Sequence, residues 1–141
     1  MKCLYCLLLL CTFAQYATAD TIDFWHVYCG GRNIGRFNDY ATNDTIILKF
    51  DNVKSTDSIT VRFFRDTPCF ECRTFLLADD AHQKRVATGS GRGTFSQLSI
   101  AVKDLVADKS DGRNTTYIFY FHEESTMPPD RKKRLFSLKF M

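Results

Sequence analysis

Proline is scarce, tryptophan occurs once, and neither sign of charge dominates: 141 residues hold 3 Pro, 1 Trp, 19 basic and 16 acidic side chains, for a formal charge of +3. So small an excess argues against a general affinity for nucleic acid or anionic membrane. No apolar run reaches the ~20 residues needed to cross a bilayer as a helix, so no transmembrane segment is expected. Catalytic motifs are missing as well. Gly89-Ser90-Gly91-Arg92-Gly93-Thr94 has the glycines of a phosphate loop without its Gly-Lys-Ser/Thr ending, and Thr88 stands where a nucleophile elbow around Ser90 needs its first glycine. No internal repeat or low-complexity linker divides the chain.

What is present begins with an export pattern. Lys2 precedes an apolar run through Leu7-Leu8-Leu9-Leu10, and Ala17-Thr18-Ala19 places small residues at a cleavage position. This reads as a secretory signal peptide over residues 1–19, cleaved after Ala19, followed by one domain over 20–141 in a secreted, periplasmic or cell-surface protein. Cleavage leaves 18 basic residues against 16 acidic, a charge of +2, and removes three of the six cysteines. Cys29, Cys69 and Cys72 remain, an odd count for an exported protein.

The dominant periodicity is two. In Ser58-Ile59-Thr60-Val61-Arg62-Phe63-Phe64-Arg65, the residues Ile59, Val61 and Phe63 share one face and Ser58, Thr60 and Arg62 the other, the signature of a strand with one buried side. The same pattern recurs at 22–29, 32–37, 45–50, 73–78, 84–88, 94–102, 115–122 and 134–140. Between the runs lie turn signals at Gly30-Gly31, 52–57, Asp66-Thr67-Pro68, Asp79-Asp80, Gly89-Ser90-Gly91, Asp111-Gly112 and Pro128-Pro129-Asp130. Gly30-Gly31 is the most specific, because a two-residue hairpin turn demands positive φ angles. Leu98, Val102, Leu105 and Val106 also fit a helical spacing, so a strand ending near Val102 and then a helical turn is expected. Eight to nine short strands without a long helix predict an all-β antiparallel sandwich, immunoglobulin-like in general architecture. Asn43-Asp44-Thr45 and Asn114-Thr115-Thr116 match the glycosylation acceptor pattern.

Asp66-Thr67-Pro68-Cys69-Phe70-Glu71-Cys72 admits three chemistries. Along a strand the two sulfurs would lie ~10 Å apart on opposite faces, whereas a disulfide needs Cα atoms within about 7 Å. A Cys69–Cys72 bridge therefore requires a turn, which Asp66-Thr67-Pro68 favours, and it would set local shape more than stability. A redox dithiol wants a thiol at a helix N-terminus, and here strand patterns flank the motif on both sides. A zinc site would draw on Cys29, Cys69, Cys72 and a histidine such as His26, but the mature chain lacks a second Cys-x-x-Cys, and His26 and Cys29 face opposite sides of a strand. The disulfide ring is the expectation, with no metal or other cofactor. Cys29 is then a free thiol on the core face with Trp25 and Val27, or the partner in an alternative bridge.

Two surfaces qualify for binding. Phe24, Tyr28 and Phe64 fall on strand faces opposite the expected core, where they form an aromatic stripe unless another element covers them. Arg131-Lys132-Lys133-Arg134 is the densest basic run, read as a solvated loop or a small polyanion patch. By elimination the sequence implies an exported binding or interaction module with a protein or carbohydrate partner. The rival is a thiol-redox or zinc protein centred on Cys69 and Cys72.

Overall fold

The computed structural model describes residues 22–107, 114–124 and 132–141. The leader at 1–19, the turns at Asp111-Gly112 and Pro128-Pro129-Asp130, and Arg131 lie outside the described residues.

Nine strands are described: β1 (Phe24–Cys29), β2 (Arg32–Asn38), β3 (Thr45–Leu48), β4 (Ser58–Phe64), β5 (Arg73–Asp80), β6 (Arg85–Arg92), β7 (Gln97–Ala101), β8 (Thr116–Glu124) and β9 (Lys132–Phe140). A 3-10 turn occupies Phe50–Asn52 and a short helix, α1, Val102–Val106. One sheet has the order β2-β1-β4-β7 and the other β3-β9-β8-β5-β6, giving a sandwich of four and five strands. All pairings are antiparallel except β3 with β9, which run parallel and so depart from the purely antiparallel expectation.

Alternation explains the core. Trp25, Val27 and Cys29 on β1 and Ile59, Val61 and Phe63 on β4 are buried, as their parity predicts. Tyr117, Phe119 and Phe121 on β8 meet them from the other sheet. The Phe63 and Phe121 rings stack across the interface at 4.2 Å, and Phe119 stacks on Phe136 at 4.7 Å. Burying a side chain of this size contributes about 1.5–3 kcal/mol.

The β1–β2 hairpin turns on Gly30 and Gly31 with φ of +54° and +80°, so the strongest local turn signal holds. Gly89-Ser90-Gly91, expected as a turn, instead lies inside β6. Its glycines serve a close approach of β6 to β7 of the other sheet: a Cβ on Gly89 would stand 2.3 Å from the Ser99 carbonyl oxygen. The strand expected from Thr94 begins only at Gln97, because residues 93–96 carry the chain from one sheet to the other. As expected, β7 gives way to a helical turn, whose Val102 and Leu105 are buried.

Candidate functional site

Two of the chain's crossings between the sheets lie side by side at one end of the sandwich, from β4 to β5 through residues 65–72 and from β6 to β7 through 93–96. Backbone bonds join the two crossings: Thr94 N–H donates to Cys69 O at 2.7 Å and Gly93 N–H to Cys72 O at 2.8 Å. The Thr94 hydroxyl accepts from Cys69 N–H at 2.8 Å and lies 2.9 Å from Glu123 Oε2, to which it donates. Glu123 arrives on β8, where it shares the inward parity of Tyr117, Phe119 and Phe121 and ends the row at the rim, its side chain 17% exposed. Arg65 reaches its Oε1 at 3.4 Å and Asp23 at the same distance.

Cys69 and Cys72 turn toward one another as the Asp66-Thr67-Pro68 context predicts, but they are free thiols; the expected disulfide is not formed. Cys72 N–H donates to Cys69 Sγ at 3.0 Å. Both sulfurs and a Glu123 oxygen lie within 4.8 Å of one another. Burial, then the bond with Cys69 and the charge of Glu123, pushes the Cys72 thiol up to about 12, opposite to the activation a redox nucleophile requires.

Cys29 and His26 do not join this group, which corrects the ligand set drawn from the sequence. Cys29 pairs with Ile59 at one end of β4, whereas Phe24 pairs with Phe64 at the end that leads into Cys69. Five residues of ladder, about 17 Å, separate the two ends. The same separation rules out a Cys29 bridge to Cys69 or Cys72. Cys29 is a buried free thiol whose pKa is raised by burial and then by Asp57. Glu123 was missed because it stands more than fifty residues beyond the cysteines, yet its inward parity after three aromatic residues was a readable signal.

The basic run is also revised. Lys132, Lys133 and Arg134 open β9 instead of forming a loop. Lys132 bonds Asp79 at 2.5 Å, Lys133 bonds Asp23 and Asp39 at 2.6 and 2.5 Å, and Arg134 pairs with Asp44. With each of the three cations compensated, they form no open anion-binding patch.

The aromatic stripe is present and longer than expected. On the outer face of the four-stranded sheet, Phe24 and Phe64 stack at 4.6 Å and 11° between planes, with His26 5.8 and 5.6 Å from them. Phe95 continues the row 6.1 Å from Phe64, and Phe70, from between the two cysteines, lies 6.3 Å from Phe95. Phe24, Phe95 and Phe70 are 41%, 49% and 69% exposed, and Phe64 and Tyr28 are half-buried. Among the described residues neither α1 nor the second sheet covers this face. His26 is flanked in register by Arg36 and Arg62; burial and then these two cations hold its pKa below the ordinary histidine value. Arg62 bonds the neutral Gln97 at 3.1 Å and lies over the Tyr28 ring at 5.5 Å. A depression of about 270 Å³ beside Phe24 is lined by His26, Arg36, Phe37, Asn38 and Ala41.

No helix among the described residues is long and apolar enough to cross a membrane. The chain matches no protein-family model, and no curated protein resembles it in sequence. Among solved structures it is similar to the crystal structure of Ruminococcus gnavus beta-glucuronidase, with 10% identity and a TM-score of 0.37. The likeness covers 86% of this chain and 33% of that one, so the chain spans about a third of that enzyme's length.

Proposed function

We propose that the protein is an exported, non-catalytic interaction module whose four-stranded face receives an apolar, acidic segment of a protein partner. One observation carries this reading: an aromatic row beside Arg36 and Arg62, with no acid in register with it, on a sheet face that no described residue covers. Contiguous apolar surface left in water marks interaction sites in proteins. The two arginines, set against neutral neighbours, favour negative charge in whatever docks there. Export rests on the leader pattern at residues 1–19.

A protein segment fits better than a sugar. Phe24 and Phe64 turn one ring face toward each other, which takes up half of the flat platform a sugar ring would stack on. Apolar side chains can pack on the exposed rings of the row, while Arg36 in the depression beside Phe24 offers a carboxylate its partner.

The mature protein should be immobilised and exposed both to a random-peptide display library and to a glycan array. The expected result is enrichment of peptides that combine apolar and acidic residues, lost with Phe24→Ser/Phe64→Ser and weakened with Arg62→Gln. Peptides that bind the double variant equally well, or glycans bound in their place, would overturn the reading.

A further inference from the structure

We infer that Cys69, Cys72 and Glu123 form a zinc site, with two thiolates and one carboxylate as protein ligands and water in the fourth position. The three ligand atoms already lie within 4.8 Å of one another; tetrahedral zinc, with bonds of about 2.3 Å to sulfur and 2.0–2.2 Å to oxygen, wants them about 3.5–3.8 Å apart. Closing that gap takes side-chain movements of at most about 1.0–1.3 Å, on a backbone turn that is already formed.

The surroundings are those of a built ligand set. Cys72 N–H points at Cys69 Sγ at 3.0 Å, the kind of donation that stabilises a metal-bound thiolate. Glu123 is held from both sides, by Thr94 Oγ1 at 2.9 Å on one oxygen and Arg65 at 3.4 Å on the other. Such outer partners orient a ligand and set its basicity. The turn itself is fixed by the Thr94 and Gly93 amides on the Cys69 and Cys72 carbonyls. Charge closes as well: two thiolates and a carboxylate around a divalent ion leave one negative charge, which Arg65 offsets.

The donor set selects the ion. Soft thiolates exclude magnesium and calcium, which take oxygen ligands, and they accept zinc or cuprous copper. The carboxylate, a hard donor, favours zinc of these two. Three protein ligands with an open position describe an accessible site, in contrast to the closed four-ligand sites of zinc fingers.

The test uses the mature protein, reduced and freed of metal with a chelator, and titrated first with cobalt(II) as a spectroscopic probe and then with zinc. Expected are a sulfur-to-cobalt charge-transfer band and tetrahedral visible bands that saturate at one equivalent and are displaced by zinc. Cys29→Ser should leave both unchanged, Cys69→Ser should abolish the charge-transfer band or strongly reduce it, and Glu123→Gln should weaken zinc binding by roughly tenfold or more. Wild-type protein without a charge-transfer band would overturn the inference, whatever the variants do. So would Glu123→Gln of unchanged affinity, or a signal that requires Cys29.

Discussion

Gly89→Ala should cost the fold more than Gly31→Ala, although only Gly31 sits in the left-handed region. A Cβ on Gly89 would stand 2.3 Å from Ser99 O and 3.0 Å from its carbonyl carbon. Both atoms belong to the β7 backbone, which the register of Ser99 with Thr60 ties to β4, so a strand, not a side chain, must move. Overpacking costs typically about 1–3 kcal/mol, and a backbone obstacle belongs at the upper end. Alanine's restriction of the unfolded chain returns about 0.4–1 kcal/mol, for a net loss of about 2–3 kcal/mol. At Gly31 φ is +80° and a Cβ meets nothing within 4 Å. The penalty there is backbone strain of about 1–2 kcal/mol, reduced by the same unfolded-state term to about 1.5 kcal/mol or less. For a domain of this size about 4 °C per kcal/mol is expected, so Tm should fall by roughly 8–12 °C for Gly89→Ala and by about 6 °C or less for Gly31→Ala. Equal m-values in urea titrations would show that neither change alters the surface exposed on unfolding, so that the shift in midpoint reports stability alone. A Gly89→Ala protein no less stable than Gly31→Ala would refute the close approach of the two sheet edges.

Phe63→Ala should cost about 3–5 kcal/mol by urea titration, because the ring is 1% exposed and stacked on Phe121, whereas its neighbour Phe64, on the outer face, should cost no more than about 1–2 kcal/mol; equal losses would sink the assignment of the two faces. Asp79, its side chain 4% exposed, is subject to burial, which would raise its pKa, but bonds from Arg85 and Lys132 outweigh this and hold it below the usual carboxylate value. Its stabilisation is therefore complete above its unfolded pKa of about 3.9 and is lost as pH falls through the lower folded pKa. Asp79→Asn should lose about 1–3 kcal/mol at neutral pH and show a flatter decline below pH ~4; an identical acid profile would refute the linkage. His26, depressed by burial and by Arg36 and Arg62, should titrate higher once an acidic peptide is bound, so that affinity rises as pH falls through that range. Imidazole chemical shifts followed with and without the peptide check this, and an unchanged His26 pKa would place the peptide elsewhere.

Strand parity was legible because it is local. Each strand buries alternate residues, so Trp25, Val27, Ile59, Val61 and Phe63 could be assigned to a core without knowing which strands pair. Gly89-Ser90-Gly91 was misread because a glycine cluster has two physical meanings, a turn or a close approach of another backbone, and only the neighbouring β7 decides between them. The basic run at 132–134 was misread for a similar reason: its acids, Asp23, Asp39, Asp44 and Asp79, are brought to it by sheet order. Sequence spacing carries no trace of such pairings. The disulfide expectation had the geometry of the turn right; what the sequence could not show was that β8 brings a Glu123 oxygen within 4.8 Å of both sulfurs.

The cysteine turn and the aromatic row share a residue, and this couples the two proposals in a way that can be measured. Phe70 lies between Cys69 and Cys72, and its ring meets Phe95, which follows Thr94 on the other crossing. A cation holding both sulfurs would stiffen the already formed turn and narrow the swing of the Phe70 ring, which is 69% exposed, before a partner arrives. Without it, ordering that ring falls to the binding event, at about 0.5–1.5 kcal/mol per immobilised side chain, or roughly two- to tenfold in Kd. Chelation should therefore weaken peptide binding by that factor in the wild-type protein. In Phe70→Ala, where the ordered ring is gone, chelation should have no effect. Peptide binding that ignores chelation in both proteins would separate the metal site from the docking face, whereas a loss that persists in Phe70→Ala would locate the coupling elsewhere on the rim.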